Sequence, residues 1–112
     1  MTNSECLFCK IVQNEIPAKR VAESDRALAF NDINPQAPTH VLIIPKQHTS
    51  QVSDLANMEV IADLYQLAAK IARDQGLKDY RLVTNNGAGA GQSVFHIHLH
   101  LLGGRPFSWP PG

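Results

Sequence analysis

Residues 93–102 alternate apolar side chains with histidines, a period-two pattern that predicts a β-strand. Side chains two apart share a face of a strand. Val94, His96, His98, His100 and Leu102 are predicted on one face, and Phe95, Ile97, Leu99 and Leu101 on the other, as core. Upstream, Val60, Ile61, Leu64, Leu67, Ala68 and Ile71 recur at steps of one, three and four, the apolar stripe of a long amphipathic helix that Gly76 is placed to end. Residues 40–45 are a compact run of branched apolar side chains, too short for a helix, and predict a buried strand. Residues 20–23 and 27–31 read as short strands joined by the turn Ser24-Asp25-Arg26, and 80–85 as a fourth strand. Leu7, Phe8, Ile11 and Val12 give residues 6–14 a short helical pattern that stops before Pro17. Prolines make 34–38 a loop, 86–92 is a glycine-rich loop, and the tail from Gly103 holds three prolines and Trp109. The order is helix, three strands, long helix, two strands. It predicts a single α+β domain over residues 1–112 with a mostly antiparallel five-stranded sheet.

A chain of 112 residues closes one core with a thin margin, which pairing of two chains would widen. The formal net charge is zero and the charges are mixed, so nothing points to a nucleic-acid footprint. No apolar stretch approaches a bilayer span, and residues 1–5 are polar, without the apolar centre of a signal peptide. These features predict a soluble, cytoplasmic protein with no membrane partner. The two cysteines, Cys6 and Cys9, are too few for a disulfide framework. No strand precedes them to suggest a thioredoxin-like site. Two thiols can instead supply half of a tetrahedral zinc shell.

Three histidines in register, each about 6–7 Å from the next along a strand, are poorly explained as packing. Two chemistries fit. His-x-His can ligate a catalytic metal. A neutral histidine can also act as nucleophile or base while its neighbours fix its tautomer. The preceding loop, Asn85 to Ser93 with Gly87, Gly89 and Gly91, can turn amides toward an anion. That favours phosphoryl chemistry over a bare metal site. His40 opens the buried strand and reaches the other histidines only if the two strands lie close.

The run His96-Ile97-His98-Leu99-His100-Leu101-Leu102 fits the histidine-triad signature, and the chain resembles that superfamily from about Cys6 to its C-terminus. The tail, Gly103-Gly104-Arg105 through Trp109-Pro110-Pro111-Gly112, is similar to that of its nucleotide-binding branch, the purine nucleoside phosphoramidases. The resemblance implies a homodimer whose five-stranded sheets join. It implies hydrolysis of the P–N bond of adenosine 5′-phosphoramidates through a nucleotidyl-histidine intermediate, with no cofactor needed for the reaction. His98 would be the nucleophile, with His100 near the leaving group and phosphate. His40 and His96 would hold the network that orients His98. Asn85, Gly91, Gln92, Ser93 and Val94 would form the phosphate side, Ser93 close to the leaving group. Asp32 would accept from ribose hydroxyls. Leu7, Phe8, Ile11, Phe30 and Ile33 would wall the base, and Trp109 would reach the partner's site.

Read by position alone, Asp32 is equally a turn carboxylate before Asn34-Pro35, and the wall residues are equally plain core. The resemblance also implies a structural zinc held by Cys6, Cys9, His48 and His96, a closed Cys₂His₂ shell. The plain alternative is two reduced thiols on a short helix. Other functions open at this point are a nucleotide-binding adaptor or sensor with slow turnover, a hydrolase with zinc at the histidine strand, and a dinucleoside polyphosphate hydrolase of the same superfamily.

Overall fold

A computed structural model describes residues 5–112, so the reading of the first four residues lies outside it. The elements are α1 (Leu7–Val12), β1 (Arg20–Glu23), β2 (Ala27–Asn31), β3 (Thr39–Pro45), α2 (Glu59–Asp74), β4 (Tyr80–Val83) and β5 (Leu99–Gly103), with 3₁₀ turns at Val52–Asp54 and Ala88–Ala90. The five strands form one sheet in the order β1-β2-β3-β5-β4. Every neighbouring pair is antiparallel. The α+β fold and its five-stranded sheet are as the sequence predicts. No helix among the described residues is long and apolar enough to cross a membrane.

Strand alternation divides the core in two. On one face Ala27, Ala29, Val41, Ile43, Leu99 and Leu101 pack with Leu64, Leu67, Ala68 and Ile71 of α2. On the other, Leu28, Phe30, Leu42 and Ile44 pack with Phe8 and Ile11 of α1. The stripe that predicted α2 is therefore the face it buries. The helix ends where Gly76, at φ +69°, takes the left-handed conformation. There the Gln75, Gly76 and Leu77 amides reach back to the carbonyls of Ile71, Arg73 and Ala72.

The fifth strand is shorter than predicted. Residues 93–98 are not part of it, and β5 begins at Leu99, opposite Ile43. Continuing that register would set Ile97 against Pro45, which has no N–H to give the Ile97 carbonyl. The Pro45 carbonyl is taken by His96 Nε2, and the Ile97 N–H donates to the Thr49 carbonyl at 2.9 Å. The bend at 94–96 also breaks the alternation. Ile97, Leu99 and Leu101 lie in the core as expected, but Phe95 is 45% exposed and does not. The fourth strand likewise stops at Val83 rather than 85, its last pairing being with His100.

Candidate functional site

His40 and His100 sit on the α1 face of the sheet, paired across from Leu102 and Leu42. The extended residues before β5 bring His98 beside them. The His98 ring lies 5.2 Å from Phe8 and 5.1 Å from His100, centroid to centroid. Phe8 also packs edge-on against Phe30 and His96. One short helix thus presents a single aromatic ring to both His96 and His98.

Backbone partners decide the tautomers here, because a carbonyl can only accept and a peptide amide can only donate. His98 Nδ1 lies 2.9 Å from the His96 carbonyl. Neutral His98 therefore carries its proton on Nδ1, and its lone pair is on Nε2. Nε2 makes no hydrogen bond in the described chain. No buried side-chain nitrogen or oxygen among the described residues lacks a partner, so Nε2 is open to the surface.

The Gln36 amide donates to His40 Nδ1 at 3.0 Å. The His40 proton must then sit on Nε2, which donates to His100 Nδ1 at 2.9 Å. His100 in turn carries its proton on Nε2. Asp32 Oδ2 stands 3.4 Å from His40 Nε2, and Asp32 Oδ1 accepts from the Asn34 amide at 2.8 Å. Asp32 is both a turn carboxylate and a neighbour of the histidines. Burial lowers the pKa of His40, with the Asp32 charge opposing it. Burial, with His98 and His40 alongside, lowers His100 to about 4. Both rings are neutral near pH 7.

Two groups of side chains have metal-ligand spacing. In Asp32, His40 and His100 the proton on His40 Nε2 occupies the position a metal would need, so this group is a hydrogen-bond relay. The other group is Cys6, Cys9, His48 and His96. His96 Nε2 donates to the Pro45 carbonyl at 2.8 Å, which leaves a lone pair on Nδ1. That Nδ1 lies 3.3 Å from Cys6 Sγ, 3.5 Å from Cys9 Sγ and 3.2 Å from His48 Nδ1. Cys9 Sγ is 3.4 Å from His48 Nδ1. Ligands placed tetrahedrally around zinc, with Zn–S about 2.3 Å and Zn–N about 2.0–2.1 Å, stand about 3.3–3.8 Å apart, nitrogen pairs at the short end and the sulfur pair at the long end. Burial also pulls His96 down to about 4, which favours the neutral ring a ligand must be. The four residues fit a structural zinc. When bound, the metal would tie α1, the loop after β3 and the approach to β5 together.

The glycine-rich loop is braced from within. Gln92 is buried; its side chain accepts from the Gly87 amide and donates to the Ser50 and Val94 carbonyls. The Gly91 and Gln92 amides close the turn onto Ala88 and Gly87. Gln92 therefore shapes the loop, and of the 91–93 amides Ser93's is left for an anion. Ser93 is exposed, Asn85 is half-buried beside Gly91, and Val94 packs against the α1 core. Phe8, Ile11 and Phe30 are buried, whereas Leu7 is 44% exposed and Ile33 wholly exposed. Trp109 is 84% exposed on the tail. Gln36 and Pro45 were missed from the sequence. They act through main-chain atoms, which leave no signature in residue type.

A histidine cluster on the open face of such a sheet could arise in unrelated folds, but here sequence and topology coincide. The pattern that defines the HIT domain matches residues 13–107. This chain belongs to the HIT family. A HIT family hydrolase from Legionella pneumophila Philadelphia 1 is 55% identical, with a TM-score of 0.92 over 96% of this chain and 99% of that one. The 14 kDa zinc-binding protein of Zea mays is 46% identical, the alignment taking in 100% of this chain and 91% of the maize protein. A histidine triad nucleotide-binding protein from Candida albicans is 33% identical with a TM-score of 0.82, over 94% and 82% of the two chains. Cys6, Phe8 and Cys9 precede the matched HIT region, yet they complete the sites that the HIT residues begin.

Proposed function

We propose that this HIT protein is a purine nucleoside phosphoramidase that cleaves the P–N bond of adenosine 5′-phosphoramidates. The observation that carries the reading is the state of His98. Its Nδ1–H is held by the His96 carbonyl, its Nε2 lone pair is unengaged, and it lies between an aromatic ring and a second histidine. Nε2 attacks the α-phosphorus as the P–N bond breaks. The proton stays on Nδ1 and donates to the His96 carbonyl, whose partial negative charge offsets the positive charge that develops on the ring. The Ser93 amide and hydroxyl and the His100 Nε2–H donate to the phosphoryl oxygens or the leaving atom. The amine departs with a proton from solvent. Water then attacks the nucleotidyl-histidine and releases the nucleoside monophosphate. Phe8, Ile11 and Phe30 wall the base, with Leu7 and Ile33 at the rim, and the outer carboxylate face of Asp32 takes the ribose hydroxyls.

The hydrolase and nucleotide-binding relatives support the substrate class. A homodimer formed along the β4 edge, each Trp109 reaching the partner's site, accounts for the exposure of Trp109 and of Tyr80 on β4. The test is His98→Ala. It should lose several orders of magnitude in turnover of adenosine 5′-phosphoramidate while still binding AMP. Acid-quenched wild type should carry a covalent nucleotide that the variant lacks. Turnover near the wild-type rate in His98→Ala overturns the proposal.

A further inference from the structure

The segment from Asp32 to Pro38 is clamped by the end of β5. Gly104 has φ +91°, and a Cβ there would stand 2.9 Å from Pro38 Cβ. Only glycine allows the chain to take this conformation and close on Pro38. One residue on, Arg105 Nε–H donates to the Gln36 carbonyl at 2.9 Å. The same guanidinium lies 4.3 Å over the Phe107 ring, and its Nη1 donates to the Pro106 carbonyl. Arg81 also approaches the Phe107 ring and donates to the Ser108 carbonyl. Residue 36 is thus held on both sides. Its carbonyl is on Arg105 and its amide on His40 Nδ1.

The order of protons in the relay rests on that hold together with Asp32 Oδ2, which stands 3.4 Å from His40 Nε2 and favours a proton there. While the Gln36 amide points at His40 Nδ1, the His40 proton must be on Nε2 and the His100 proton on Nε2. If residue 36 moves away, Nδ1 can take the His40 proton and Nε2 becomes an acceptor. His100 can then keep the bond to His40 only with its own proton on Nδ1. Its Nε2 would offer a lone pair, not an N–H, to an anionic phosphate. Net charge is the same in both arrangements, but their direction is opposite.

We propose that Arg105 is a positioning residue. Through Gln36 it keeps the His40–His100 relay in the direction that gives His100 an N–H donor for the phosphoryl group. The proposal rests on the phosphoramidase reading for its catalytic consequence, though the tautomers can be observed without substrate. Long-range ¹⁵N–¹H spectra of the imidazole rings should show wild-type His40 and His100 protonated at Nε2. Arg105→Ala should move both toward Nδ1 protonation or an averaged pattern, and Arg105→Lys, which retains a donor, should recover the wild-type pattern in part. Gly104→Ala displaces the same loop without touching a charge and should shift the tautomers as Arg105→Ala does. With adenosine 5′-phosphoramidate, kcat should fall about tenfold in Arg105→Ala with KM nearly unchanged, the effect of one hydrogen bond made in the transition state. Unchanged His40 and His100 ring patterns in Arg105→Ala overturn the proposal, even if thermal stability falls. Shifted tautomers alongside a fully active His98→Ala would sink the nucleophile assignment and leave the clamp standing.

Discussion

Replacing Phe8 with alanine should release the helix that covers the candidate site. α1 has six residues, too few to persist without tertiary support. Its support is the burial of Phe8, Cys9 and Ile11, at 4%, 1% and 6% exposure. A buried phenylalanine removes about 200 Å² of apolar surface from water, or about 5 kcal/mol at about 25 cal/mol per Å² as an upper bound. Phe→Ala replacements in cores cost about 3–5 kcal/mol. That is a large share of the about 5–15 kcal/mol by which a domain of this size is stable. The cost should appear first in α1. The Lys10 and Gln13 amides, each bonded at 3.1 Å to the Cys6 and Cys9 carbonyls, should lose hydrogen-exchange protection while the β3–β5 ladder keeps its own. The urea midpoint should fall as well. Zinc should restore part of the protection, because Cys6 and Cys9 tie the same helix on either side of position 8. A stability loss under about 1 kcal/mol, with Lys10 and Gln13 as protected as in the wild type, would refute the anchoring argument.

Acid should weaken the metal-free fold from about pH 6.5 downward. His96 and His100 have native pKa values lowered to about 4 by burial, against about 6.5 in the unfolded chain, so between these values the unfolded state binds more protons. Stability is therefore fully present above about pH 6.5 and is lost as pH falls toward about 4, which thermal melts across that range will record; a flat melting temperature would contradict the burial of these rings. Metal analysis should find one zinc per chain. A strong chelator should lower the melting temperature and open Cys9 to thiol reagents, yet leave measurable turnover; outright loss of turnover would place the metal in the chemistry.

Most of the fold was legible because its periods are strong. The strands at 20–23 and 27–31 emerge with the predicted bounds, and Leu64, Leu67, Ala68 and Ile71 of the predicted stripe are buried on α2, with Val60 and Ile61 half-buried at its start. The failure at Phe95 has a local cause. Alternation in sequence tells where side chains would point in a strand, but a strand exists only where a neighbour supplies amides, and Pro45 supplies none. The site divides similarly. The triad and the Cys-x-x-Cys are side-chain chemistry and could be read directly. The relay's direction depends on the Gln36 amide, and the tautomer of His98 on the His96 carbonyl, which any residue could provide. Gln92 was legible as a loop residue, but its buried amide turns inward because three main-chain groups of the turn and its surroundings would otherwise lack partners.

His96 serves two neighbours with different parts of itself, the thiols with its ring and His98 with its peptide oxygen. A peptide oxygen survives every replacement of the side chain. Descendants of this chain could therefore discard the metal ligand at position 96 and still align the reacting imidazole, provided packing in place of zinc kept the first helix seated. Retention of zinc and retention of the chemistry can thus drift apart in evolution, even though a single residue links them.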